Sequence, residues 1–163
     1  KDPCRPVNIQ QLIEETLSFC NEHFKSNDIR VTVEEFKKDL TFEGRATEIS
    51  QVLLNLLNNA YDAIEPLKEK WIRIAAKDLG EHIEISLMDS GTGIPKHIQD
   101  KIMQPFFTTK AIGKGTGLGL SISMGILEGH HGKLSLDSSS ANTKFVITIP
   151  KQQKTTVTEK SAA

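Results

Sequence analysis

Four groups of residues in this chain have the types and spacing that can do chemistry. Gln51, Asn55, Asn59 and Asp62 stand four, four and three residues apart, which places them on one face of a helix. Val52, Leu53, Leu56, Leu57, Ala60 and Ile64 occupy the other face. An amide stripe beside a core is costly unless something uses it. Asparagine oxygens suit a hard cation, and Mg²⁺ takes a few protein oxygens together with phosphate and water. By itself the stripe reads equally well as a solvated helix face. The second group is Asp89-Ser90-Gly91-Thr92-Gly93-Ile94, directly after an alternating run of Ile and Leu. A carboxylate at a strand end, followed by two glycines, can point into a pocket while the backbone turns tightly. It would accept a hydrogen bond from an amine such as that of adenine. The same residues also make an ordinary turn.

The third group, Gly113-Lys114-Gly115-Thr116-Gly117-Leu118-Gly119-Leu120-Ser121, has glycine at alternate positions before an amphipathic run through Leu118, Ile122 and Ile126. Bare backbone amides at a helix start can approach phosphate. Neither the Walker A spacing nor a strand leading into a Rossmann turn is present. A flexible linker would not run straight into such a helix. The fourth group, Pro105-Phe106-Phe107-Thr108-Thr109-Lys110, has two adjacent aromatics that call for burial. They can anchor a lid from which Lys110 reaches a phosphate, or simply form a satellite of the core.

Several elements must position these groups. Asn8, with Gln11 three residues on, has a capping-box pattern. It precedes helical spacing through Ile9, Leu12, Ile13, Leu17, Cys20 and Phe24. Pro3 and Pro6 are expected to keep residues 1–7 irregular, as a connector. Alternation predicts strands over 29–36, 40–42, 71–77, 82–88, 133–137 and 144–149, with a turn at Asp78-Leu79-Gly80. Helices are predicted over 47–64, over 118–130 with Gly132 as its C-cap, and briefly from Pro95 to 103. A mobile loop is expected over 104–117 and a disordered tail over 151–163. Adjacent strands joined by short turns imply a two-layer α/β (α+β) sandwich: a mixed, mostly antiparallel sheet covered by helices on one face.

Composition narrows the class. The 163 residues suit one domain, and 37% hydrophobic content supports a core without staples. A net charge of -1 argues against a nucleic-acid partner. Cys4 and Cys20 fit no metal or redox spacing and suit a reducing compartment. No apolar run approaches the ~18 residues of a membrane span. The opening Lys1-Asp2-Pro3 suggests a piece of something longer. A cytoplasmic domain is expected, from a parent that can be membrane-anchored.

In order and spacing, these groups together resemble the ATP-binding catalytic domain of bacterial sensor histidine kinases, in the superfamily of gyrase, mismatch-repair ATPases and a heat-shock chaperone. Residues 51–60 match the N box, 89–94 the G1 box, 105–110 the F box and 115–120 the G2 box. Asn59-Ala60-Tyr61-Asp62-Ala63 with Phe-Phe-Thr-Thr-Lys is most similar to the nitrogen-regulation type. The resemblance covers residues 7–150 and implies the Bergerat-type ATP-binding fold, with ATP and Mg²⁺ as cofactors.

It also implies roles. Asn59 would hold Mg²⁺, and Asn55 would position triphosphate and metal. Asp89 would recognise the adenine amine, with Gly91, Gly93 and Ile94 as the pocket wall. Gly115, Thr116, Gly117, Leu118, Gly119 and Leu120 would contact phosphate, and Lys110 would do so from the lid. Thr143 would hydrogen-bond near Asp89. Asp62, where many relatives have lysine, would tune the metal. Ser90 and Thr92 replace the frequent Asn and Pro, and Asn142 replaces a Gly before Thr143.

None of His23, His82, His97, His130 and His131 has the acidic neighbour and following proline context of a phosphoacceptor. His130 and His131 read as structural, with a charge suited to a helix C-terminus. The acceptor histidine and its general base would then lie on a separate dimerisation domain. The chain alone would be monomeric within a homodimeric parent, with a response regulator downstream. Two other readings remain open: an ATP-binding regulatory module without kinase activity, and a serine kinase of the anti-sigma type.

Overall fold

The computed structural model describes residues 3–104 and 119–153. The chain runs β1 (Arg5–Asn8), α1 (Ile9–Ser18), α2 (Asn21–Ser26), β2 (Arg30–Val33), β3 (Thr41–Gly44), α3 (Ala46–Ile64), β4 (Trp71–Asp78), β5 (His82–Asp89), α4 (Lys96–Gln99), α5 (Gly119–Gly129), β6 (Lys133–Leu136) and β7 (Lys144–Pro150). Five strands form one sheet in the order β2-β4-β5-β7-β6. The β2–β4 pair is parallel, and the others are antiparallel. Ile72, Ile74 and Ala76 of β4, Ile83, Ile85 and Leu87 of β5, and Phe145, Ile147 and Ile149 of β7 are buried on one face. They join the apolar face of α3, from Ile49 to Ile64, in a single core. The period of two in the strands and of 3.6 in the helix builds the expected two-layer sandwich.

Residues 5–7 depart from the expected connector. β1 pairs antiparallel with β3, Pro6 opposite Glu43. A proline lacks a donor but is tolerated in an edge strand, and this two-stranded sheet consists of edges. The strand expected over 40–42 therefore serves β1, and only β2 joins the main sheet. Half of the capping box forms. Asn8 Oδ1 accepts the Gln11 N–H at 2.9 Å, while the Gln11 side chain turns to Glu15. The single stripe from Ile9 to Phe24 is carried by two helices, because the chain tightens at Phe19 and Cys20 into three-residue hydrogen bonds. All six stripe residues remain buried.

At the end of α5, the left-handed position belongs to His131 (φ 57) and not to the expected Gly132. Gly132 donates its N–H to the Leu127 carbonyl at 2.8 Å. A Cβ there would collide with the Thr148 carbonyl oxygen, so close approach to β7, not handedness, selects glycine. The turn between β4 and β5 is as expected: Gly80 adopts φ 90 and donates its N–H to Asp78 Oδ1 at 2.8 Å. Residues 151–153, expected to belong to the disordered tail, are held against β3. Lys151 accepts the Glu43 N–H at 2.7 Å, and the Gln153 N–H donates to Glu43 Oε2 at 3.0 Å. Residues 154–163, and all but residue 104 of the expected loop, lie outside the described residues.

Candidate nucleotide site

The alternation of β5 reserves an inward position for residue 89, in line with Ile83, Ile85 and Leu87. The sequence puts a carboxylate there. Asp89 is 3% exposed. Burial pushes its carboxyl up to about 6, against the opposing pull of the Gly91 N–H, which donates to Oδ1 at 2.7 Å. A buried carboxylate held, among the described residues, by one backbone donor is costly for the empty fold. It suits a ligand that brings its own donor.

The loop after Asp89 is fastened to the start of β7. The Asp89 N–H donates to the Thr143 carbonyl at 2.9 Å, and the Thr143 N–H to the Gly91 carbonyl at 3.2 Å. The Gly93 N–H donates to Thr143 Oγ1 at 3.2 Å. Asn142 Nδ2 donates to the Gly91 carbonyl at 3.1 Å. A Cβ on Gly91 would lie 2.7 Å from Asp89 Oδ1 and 3.1 Å from Thr143 Oγ1, and Gly93 adopts φ 92. These are the two places where only glycine fits the loop. Ser90 shapes it from the other side: its Oγ donates to the Glu69 carbonyl at 2.9 Å and accepts the Trp71 N–H at 3.2 Å.

A second cluster lies between helices. α3 and α5 run antiparallel, with Gly119 beside Asn55 and His130 beside Arg45. Asn55 Nδ2 donates to the Gly119 carbonyl and to Ser123 Oγ, both at 3.2 Å. Asn55 Oδ1 accepts from Gln51 Nε2 at 2.9 Å. A Cβ added to Gly119 would lie 3.9 Å from that of Asn55, in ordinary van der Waals contact. Asn55 and Asn59 are half-buried and Asp62 is exposed. Ile94 and Leu120 pack partly buried against the core. Lys110, Gly115, Thr116, Gly117 and Leu118 lie outside the described residues.

Asn142 and Ser123 had no sequence signal of their own. Asn142 stood out only as a replaced glycine, and Ser123 did not stand out at all. His130 is structural but not as a charge. Fully buried, its Nε2 accepts the Arg45 N–H at 3.0 Å while Nδ1 meets the Ile126 carbonyl at 2.9 Å. A carbonyl can only accept, so Nδ1 carries the proton and the ring is the neutral tautomer. It caps α3, whose own Arg45 provides no side-chain cap.

A family model described as histidine kinase-, DNA gyrase B- and HSP90-like ATPase matches residues 44–153. The chain belongs to this ATPase family. Its affinities within the family are with sensor kinases. Sporulation kinase B of Bacillus subtilis is 37% identical over 145 residues, covering 88% of this chain and 33% of that protein. Nitrogen regulation protein NtrY of Azorhizobium caulinodans is 38% identical over 96 residues, 56% of this chain and 12% of that protein. The solved catalytic domain of histidine kinase ThkA superposes with a TM-score of 0.84 at 35% identity, covering 93% of this chain and 98% of that one. ThkA has also been solved in complex with the response regulator protein TrrA; there the TM-score is 0.78 at 32% identity, over 91% of this chain and 42% of that one. The chain thus carries the ATP-binding catalytic domain of sensor histidine kinases, and it spans a third or less of the two sensor proteins named. Among the described residues no helix is long and apolar enough to cross a membrane.

The site fits the ATP ligand of this family, and its donor set also fits Mg²⁺. No group of three or more His, Cys, Asp or Glu able to hold a metal occurs among the described residues. Half-buried asparagine amides beside the first turn of α5 suit an ion that keeps water and phosphate oxygens in most of its positions.

Proposed function

We propose that residues 8–150 form the catalytic domain of a kinase that binds ATP with Mg²⁺ and passes the γ-phosphoryl group to a histidine on a separate dimerisation domain. Asp89 accepts the adenine amine, and Gly91, Gly93, Ile94 and Thr143 shape the wall around the base. Asn59 holds Mg²⁺, with Asp62 tuning it and Asn55 beside it. The metal neutralises phosphate charge when bound. Lys110 and residues 115–120 cover the triphosphate. In the transfer, the bond from the γ-phosphorus to the β–γ bridging oxygen breaks as an imidazole nitrogen bonds to that phosphorus, and ADP leaves. Catalysis of this kind is mostly positioning and charge neutralisation. The acceptor's general base belongs to the other domain, and the phosphohistidine then serves a response regulator. The parent protein is a homodimer, and this domain works in the cytoplasm as a monomeric unit.

The observation that carries this reading is the buried Asp89 carboxylate, raised to about 6 and closed in by the loop fastened to β7. Calorimetric titration with ATP and Mg²⁺ tests it: the wild type binds, and Asp89→Asn binds about 30- to 100-fold more weakly. A transfer assay with a supplied histidine-bearing hairpin domain tests the second half. Label on the hairpin in an acid-labile form supports histidine transfer. Label stable to acid on a serine would replace it with a serine kinase.

A further inference from the structure

Asn55 has a side-chain amide whose orientation is fixed from two sides. The Gly119 carbonyl can only accept, so the atom of Asn55 that faces it must be nitrogen. The second Nδ2 hydrogen is directed at Ser123 Oγ. The oxygen is thereby turned to the preceding turn of α3, where Gln51 donates to it at 2.9 Å. Ser123 is fully buried in the contact between α5 and α3. A hydroxyl at that depth costs stability unless it is bonded, and Asn55 is a bond it makes across the helix pair.

We infer that Ser123 and Gln51 are positioning residues of the phosphate end. They lock the Asn55 amide with its nitrogen on α5 and its oxygen on α3, and act on nucleotide only through it. One lone pair of Oδ1 is committed to Gln51, which leaves the other for a cation or its water. The first turn of α5 cannot shift without breaking both bonds from Asn55 Nδ2. The end of the glycine-rich segment is therefore tied to the amide stripe before any ligand arrives. The inference rests on the nucleotide reading above.

The test compares ATP binding with Mg²⁺ and in excess chelator for the wild type, Ser123→Ala, Gln51→Met, Asn55→Ala and the double variants. Gln51 is exposed, and Met keeps its shape without the donor, so that variant folds even if Ser123→Ala does not. The expected result is a loss of about fivefold for Ser123→Ala, and of two- to threefold for Gln51→Met, in the Mg²⁺ experiment alone. Asn55→Ala should lose more, and adding either second substitution to it should cost nothing further. Equal losses with and without Mg²⁺, no loss, or additive losses in the doubles would overturn the inference while leaving the nucleotide reading intact. A wild type that binds no ATP in either condition would overturn both.

Discussion

The two ends of the proposed nucleotide site are built on different principles. The adenine end is made on the sheet. Asp89 and Thr143 are buried, the loop between them hangs from backbone hydrogen bonds, and two glycines are required by space or by φ. The phosphate end is made between helices. The half-buried Asn55 amide meets the first turn of α5 through two side-chain bonds of 3.2 Å. On the proposed assignment, backbone geometry would fix recognition of the base before binding, whereas the metal end would leave its ligating groups within reach of water. A buried carboxylate discriminates well because a wrong partner leaves it unpaired. A hydrated Mg²⁺ needs groups that water can also reach.

Breaking the adenine end gives the largest effect. Asp89→Asn should lower ATP affinity by about 30- to 100-fold, the scale of a lost hydrogen bond to a buried charge. The same substitution should stabilise the empty domain at neutral pH. The carboxyl titrates near 6 in the fold, against 3.8 as its ordinary value. The folded state therefore binds its proton more tightly than the unfolded chain, and the penalty of burial grows as pH rises from about 4 to about 6. Urea unfolding at pH 7 should show the variant more stable by up to about 3 kcal/mol, an advantage that vanishes below pH ~4.

Gly91→Ala should cost about 1–3 kcal/mol of stability by overpacking, and about tenfold in ATP affinity as the loop shifts from Thr143. Both follow from unfolding curves and calorimetry on one preparation. At the other end, Asn59→Ala should lose about tenfold, the scale of one charge-assisted contact, and only with Mg²⁺ present. An equal loss in chelator would place Asn59 on the nucleotide itself and erase the contrast between the ends. His130→Phe should leave ATP affinity within about twofold, since the ring sits at the far end of α5. It should still destabilise the domain by about 2 kcal/mol, because the Arg45 N–H loses its buried acceptor. Thermal unfolding beside a binding isotherm separates the two.

Much of the adenine end was legible because strand alternation places residue 89 inward by counting, and two glycines in three positions announce a loop that side chains would obstruct. The antiparallel pairs β4–β5 and β6–β7 were legible for the same reason. β1 was not, since Pro6 argues against a strand wherever the partner is unknown. The tautomer of His130 was hidden too: its charge state depends on an N–H supplied by a residue 85 positions away.

The sequence by itself determined the periodicities, the turns and the types of the chemical groups, because these depend on residues a few positions apart. Only the tertiary structure decided which groups share a site. Asn142 reaches the Gly91 carbonyl across 51 positions, and Ser123 reaches Asn55 across 68. Polar groups without a local partner take one from whatever the packing of distant elements brings within hydrogen-bond reach.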